Sequence, residues 1–243
     1  MRALADAGKS VVPIVATTAV AGVIVGVVTL TGLGLKISGV IVALSGGIPL
    51  LTIAYAAVAV WVLGLAVPVT ASYIIAAVML APALVQVGIP PTAAHMFIFY
   101  YAVLSEVSPP TALSPFAAAA LTGADPMKTT LHTWKYTLPA FVVPFMFTVS
   151  ERGRGLLLQS PGPDVVIAVG IALLSLACFA AGACGWIRRA ANLFERTALT
   201  VSGALFVYGT WPAVVIAVAG AGLTVGLHLT RTRSGTTVPN RPS

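Results

Sequence analysis

Between Ser105 and Leu113 the chain reads SEVSPPTAL, directly after the apolar run AAHMFIFYYAVL. Ser105, Ser108 and Thr111 offer hydroxyl oxygens, and Glu106 offers a carboxylate. Pro109 and Pro110 each lack a backbone N–H, which frees carbonyls one turn earlier in a helix. Oxygens gathered at such a break suit Na⁺, and the N-terminus of the half-helix beyond it suits an anionic group. A structural kink is the plainer alternative, but a kink needs only one proline. Glu106 is the only acidic residue inside the segments that read as membrane-embedded, where a carboxylate costs about 2.5–3.5 kcal/mol. Two readings of it stand: a cation, proton or substrate contact, or a structural carboxyl that is protonated or hydrogen-bonded to a neighbouring helix.

A second set of candidates lies upstream in GLAVPVTASY, where Gly64, Pro68, Thr70 and Ser72 combine backbone breaks with hydroxyls. From Gly64 to Pro91 the sequence carries no charge and is punctuated by Gly and Pro. Helical pieces of about a dozen residues between these breaks are too short to cross about 30 Å of hydrocarbon at about 1.5 Å per residue. The pattern predicts a re-entrant hairpin over about 64–88 and a broken helix over about 92–122. An irregular tip is tolerated at such depth only where it is buried in protein or lines a cavity.

The elements that must hold these residues follow from composition. Of 243 residues, 58% are hydrophobic and 8% charged, against roughly 25% charged in soluble domains. So little charge cannot cover a water-facing surface, and lipid is the expected solvent. At about 20 apolar residues per crossing there is room for roughly six to eight crossing or re-entrant segments. Residues 1–10 read as a polar leader and Val11 to Leu33 as a retained first span. Ile37 to Ala66 reads as a short helix, a break at GGIP and a span. Thr137 to Thr148 reads as the core of a span, and Asp125 as a helix cap in GADPMKT. Residues 151–229 read as further hydrophobic spans: an exposed loop from ERGRG to PGPD, a clean span from Val165 to Trp186, a basic loop from Arg188 to Arg196, and a hairpin turning near YGTWP. Residues 230–243 read as a polar, disordered tail.

The net charge of +7 sits in short clusters between apolar blocks, the habit of membrane loops rather than of a nucleic-acid surface. Clusters flank several spans on both sides, so the charge does not set orientation. Cys178 and Cys184, six residues apart in an apolar run, face different directions on a helix and read as small buried core residues. His95, His132 and His228 are scattered, and His95 is placed to hydrogen-bond locally. Gly8-Lys9-Ser10 lacks the upstream glycine of a phosphate loop, since Ala3 stands there. No nucleophile, metal or cofactor motif stands out, so an enzyme is not expected, nor any metal beyond Na⁺.

The fold class expected is an all-α integral membrane bundle with one re-entrant hairpin and one discontinuous helix. Secondary transporters often carry one such pair per inverted repeat, and one pair is present here.

At these residues the chain resembles the large permease subunit of tripartite ATP-independent periplasmic (TRAP) transporters, especially the form fused to the small subunit. The resemblance rests on GVIVGVVTLTGLGLKIS, GLAVPVTASY, IPPTAAHMFIFYYAVLSEVSPPTAL, GADPMKT and VPFMF, and covers most of Val11 to Ser150. The family hairpin commonly reads GMGLPTTAAY. Here Leu65, Ala66, Val67 and Val69 replace Met, Gly, Leu and Thr; a hydroxyl is lost at Val69 and gained at Ser72. The family's Thr-Pro-Pro appears as Ser108-Pro109-Pro110. What the resemblance implies is a multi-pass protein of the bacterial cytoplasmic (inner) membrane and an elevator-type importer coupled to Na⁺. It would take organic acids or related solutes from an extracytoplasmic solute-binding protein. Residues 11–150 would be the C-terminal repeat of that permease, about half of an inverted-repeat transporter. Its partners would be the lipid bilayer, the N-terminal permease half and the small membrane subunit, with no nucleic acid. The alternative is a non-transporting membrane remnant or assembly partner.

Overall fold

The computed structural model describes residues 2–110 and 112–234, with side chains there except at 2–4, 10, 13, 14, 17 and 231–234. Thr111 and the tail beyond Ser234 lie outside the described residues. Among those described, every regular element is helical. The chain divides into two compact units, Met1–Thr133 and Trp134–Ser243.

The first unit contains α1 (Arg2–Leu30), α2 (Leu33–Leu44), α3 (Pro49–Gly64), α4 (Val69–Gln86), α5 (Pro91–Ser105), α6 (Leu113–Thr122) and the start of α7 (Pro126–Thr137). Helix α1 already begins at Arg2, so the leader is part of the first helix. At Gly32 the backbone turns left-handed, with φ +64°, a region glycine enters without the Cβ penalty. There the apolar residues from Thr18 to Leu44 bend by 72° into two arms. The GGIP break falls as expected between α2 and α3, and Pro49 opens α3 where its missing N–H is not needed. Across this turn the buried Ser45 and Thr52 hydroxyls meet at 2.7 Å.

Helix α4 corrects the expectation of two short pieces between Gly64 and Pro91. Residues 69–86 form one helix of 18 residues, running through Pro82 and long enough to cross a membrane. The hairpin is therefore larger, with α3 and α4 as arms and Leu65–Pro68 as its tip. Pro82 cannot donate to the carbonyl of Val78 and crowds it, and a neighbouring helix accommodates the defect. Gly34 of α2 lies so close that a Cβ there would come within 2.9 Å of the Val78 oxygen. One turn on, Ser38 donates its hydroxyl to the Met79 carbonyl at 2.8 Å. Helix α5 packs on both α3 and α4 and buries Ala93, Ala94, Phe97, Ile98 and Ala102. Asp125 caps α7 by accepting from the Lys128 N–H at 2.7 Å.

The second unit contains 3-10 turns at Leu138–Val142 and Arg152–Leu157, and helices α8 (Val143–Val149), α9 (Gly162–Cys184), α10 (Leu193–Tyr208) and α11 (Trp211–Ser234). The span expected over Thr137–Thr148 is not one. Pro139 and Pro144 each open a new short element, leaving a five-residue turn and a seven-residue helix. The loop expected to be exposed near ERGRG is instead folded, with Gly155 packed against α9. Arg196, assigned to a basic loop, belongs to α10, while Gly185–Ala191 makes the turn around a Trp186–Ala190 bridge. Cys178 is buried and Cys184 only half-buried. Helix α11 runs past Thr230, where the tail was expected to begin.

The core of this unit gathers Met146, Ile171, Ala172, Leu199, Phe206 and Ala217. Buried polar contacts tie the helices, as suits a bundle whose apolar surfaces gain little by leaving lipid. Ser175 donates to the Gly203 carbonyl at 2.9 Å, and Arg196 Nε donates to the Gly182 carbonyl at 2.9 Å, closing the C-terminus of α9. Among the described residues, three helices are long and apolar enough to cross a membrane, or four if the bent pair is one span. Gly and Pro divide the rest of the apolar sequence into shorter pieces, among them α3 and α6. Leu35, Val58, Leu173 and Val215 stand exposed on the helix surfaces, an apolar exterior matched to lipid.

Candidate functional site

In the first unit the end of α3, the first turn of α4 and the end of α5 converge. Gly64 closes α3 so near to α5 that a Cβ there would overlap Ser105, lying 2.6 Å from its Cβ and nearer still to its Oγ. The same Cβ would stand 3.3 Å from Ser72 Oγ. Only glycine admits this approach of two backbones. Two hydroxyls thus flank one point between the helices.

Ser72 is fully buried, and its hydroxyl has no hydrogen-bond partner. Such a group costs about 1–3 kcal/mol, and a native structure that keeps one calls for a reason. Ser105 is buried too, but its hydroxyl donates to the Ala102 carbonyl at 2.7 Å, which leaves the oxygen lone pairs as acceptors.

The two helix ends that meet here are both C-termini. Around Leu65 and Ala66 the N–H groups fall back on Trp61, Val62 and Leu63 carbonyls. Past α5, Glu106, Val107 and Ser108 donate to Val103, Leu104 and Ser105, each three residues back. Carbonyl-bearing helix ends carry about half a negative charge each. Buried hydroxyl oxygens between two such ends form a setting for a small hard cation. Helix α4 begins beside them with the opposite polarity, from Pro68 onward.

The structure therefore brings together Gly64, Ser72 and Ser105 from two segments that the sequence singled out separately. It does not bring every candidate there. Ser108 is buried, with its hydroxyl donating to the Leu104 carbonyl at 2.9 Å on its own helix. Glu106 caps the end of α5 and is half-buried. Pro109 is half-buried, Pro110 is exposed, and the bond between them is cis. Pro68 is exposed at the hairpin tip and Thr70 in the first turn of α4. Beside Ser72, Tyr73 Oη meets His95 Nδ1 at 3.3 Å and its ring packs edge-on against Phe99, so His95 serves the seam between α4 and α5.

Sequence reasoning missed one buried polar site, in the second unit. Glu195 and His228 are both buried, with Oε2 3.1 Å from Nδ1. The same carboxylate accepts from the Asn192 N–H at 3.0 Å, while Asn192 Oδ1 accepts from the Glu195 N–H at 2.7 Å. The Asn-x-x-Glu spacing of this capping box was the signal available in the sequence. No cluster of three or more metal-ligating side chains occurs among the described residues.

Compared with known families, residues 1–152 match the family model described as tripartite ATP-independent periplasmic transporter, DctM component. No curated protein and no solved structure matches the chain.

Proposed function

This chain belongs to the DctM component family of tripartite ATP-independent periplasmic transporters, and from that premise we propose that it is the Na⁺-coupled part of a permease importing organic acids or related solutes. In this reading it sits in the bacterial inner membrane as a C-terminal permease half. It works with the first permease half, the small membrane subunit and an extracytoplasmic solute-binding protein. The observation that carries Na⁺ coupling is the unpartnered, fully buried Ser72 hydroxyl, set with Ser105 between the C-termini of α3 and α5. Na⁺ would take Ser72 Oγ, Ser105 Oγ and nearby carbonyl oxygens, which removes the cost of the unpaired hydroxyl. The helix N-termini after the two breaks, at α4 and α6, suit the carboxylate of the solute.

Coupling then follows from occupancy. A bound cation draws the hairpin tip against the end of α5, and the solute's negative charge offsets the cation's during passage. Purified chain should unfold at a higher temperature in NaCl than in choline chloride, because a ligand of the folded state stabilises it by mass action. Ser72→Ala should remove that difference. Equal midpoints in the two salts for the unaltered chain would take Na⁺ out of the mechanism. Co-expressed with the first permease half and the small subunit, the chain should support uptake of radiolabelled organic acids into vesicles. That uptake should need both an inward Na⁺ gradient and added binding protein.

A further inference from the structure

Helices α9 and α11 both pack on α10, and an apolar groove of about 460 Å³ lies between them. Its walls are small: Ala177 and Ala181 on one side, Ala221 and Gly222 on the other, over Leu199 and Phe206 of α10. Leu174 and Val218, about half exposed, form the rim. Both flanking helices are apolar enough to cross a membrane, so the groove opens toward acyl chains. From Leu174 to Ala181 it follows α9 for about 10 Å at 1.5 Å per residue. Its volume falls within the roughly 300–1,000 Å³ of small-molecule sites.

Charge distinguishes the two ends. Ile187 lines the groove, and Arg188 and Arg189 follow it in the turn that joins α9 to α10. Arg196 lies in the first turns of α10, and the C-terminal part of α11 is held at this end by the His228–Glu195 contact. Glu195 is the one acidic residue from 185 to 234, and it is buried in its own hydrogen bonds. At the opposite end, Arg152 and Arg154 are balanced by Glu151 and Asp164. Trp186, largely exposed next to Ile187, is the residue type that settles at the headgroup level.

We propose that this groove binds one acyl chain of an anionic phospholipid, whose headgroup phosphate is held by Arg188 and Arg189. An apolar slot that ends in arginines matches a molecule with an apolar chain and a negative head. A neutral lipid would satisfy only the slot.

Native mass spectrometry of the full chain with phosphatidylglycerol or phosphatidylcholine tests this. Phosphatidylglycerol should be retained one per chain and in preference to phosphatidylcholine. Replacing both Arg188 and Arg189 with Gln should lower its retention about 30-fold, the equivalent of two arginines' attraction to an anionic lipid surface. Gly222→Leu, which fills the slot, should lower retention of the lipid with the arginines intact. Circular dichroism checks that each variant is folded. Equal retention of the two lipids by the unaltered chain would overturn the proposal. So would a Gly222→Leu variant that keeps its lipid, or one that loses a dimer instead, since the groove would then receive a second copy.

Discussion

Glu195, buried beside His228, is enclosed by hydrogen bonds from its own capping box and from α11, while Ser72, equally buried in the first unit, has no partner at all. The ionisable group is the more costly one to bury, and the fold surrounds it. The neutral hydroxyl is the cheaper one, and the fold leaves it open. Investment of partners marks Glu195 as part of the scaffold that joins α10 to α11. Ser72 keeps a buried hydroxyl without a partner, the feature on which the proposed cation site rests. In a low-dielectric interior a satisfied polar network rigidifies the fold, whereas an unpaired buried polar group is costly to keep.

Four substitutions test that contrast. Glu195→Ala should be the most damaging, costing about 3–5 kcal/mol because it strips one member from a buried pair. The check is thermal unfolding in detergent, and a loss no larger than that of a surface substitution would deny Glu195 its scaffold role. Gly64→Ala should follow at about 1–3 kcal/mol, since its methyl overlaps Ser105. Adding Ser105→Gly should restore most of that loss, and failure to do so would place the clash elsewhere. Ser38→Ala removes the hydroxyl bond that braces α4 near Pro82, at about 0.5–1.5 kcal/mol. Ser72→Ala should have the smallest effect on stability in choline chloride, neutral or about 1 kcal/mol stabilising, because no hydrogen bond is lost. Its effect should appear only as a lost response to Na⁺. Destabilisation in both salts would make Ser72 structural after all.

The sequence made the helix breaks legible because Gly and Pro act locally. The GGIP turn, the Ser105–Leu113 break, the YGTWP hairpin and the Asp125 cap all depend on residues within a turn of one another. What it obscured was how far each helix runs between breaks. Pro82 looked like an end to α4, yet Gly34 and Ser38, more than 40 residues upstream, let the helix continue through it. The opposite happened at Pro139 and Pro144, where a continuous apolar run divided into short elements. The candidate site was legible as two separate oxygen-bearing breaks. That Ser72 rather than Ser108 is left unpartnered depends on packing between α3, α4 and α5, which no local pattern contains. Ser72 is also the position at which this hairpin gains a hydroxyl relative to the pattern it resembles, while Val69 loses one. Glu195 was hidden for a related reason: in sequence it sits next to Arg196, but its partner in space is His228, 33 residues away.

The contact at Gly64 also constrains how the gene can change. Every missense change of a glycine codon adds at least a Cβ, and here the first atom added meets Ser105. Substitutions at position 64 therefore carry a stability cost until position 105 has become smaller. Once Ser105 is glycine, the same changes open up. The order of mutations decides which sequences are reachable, so these two positions should drift as a pair, with Ser105 moving first.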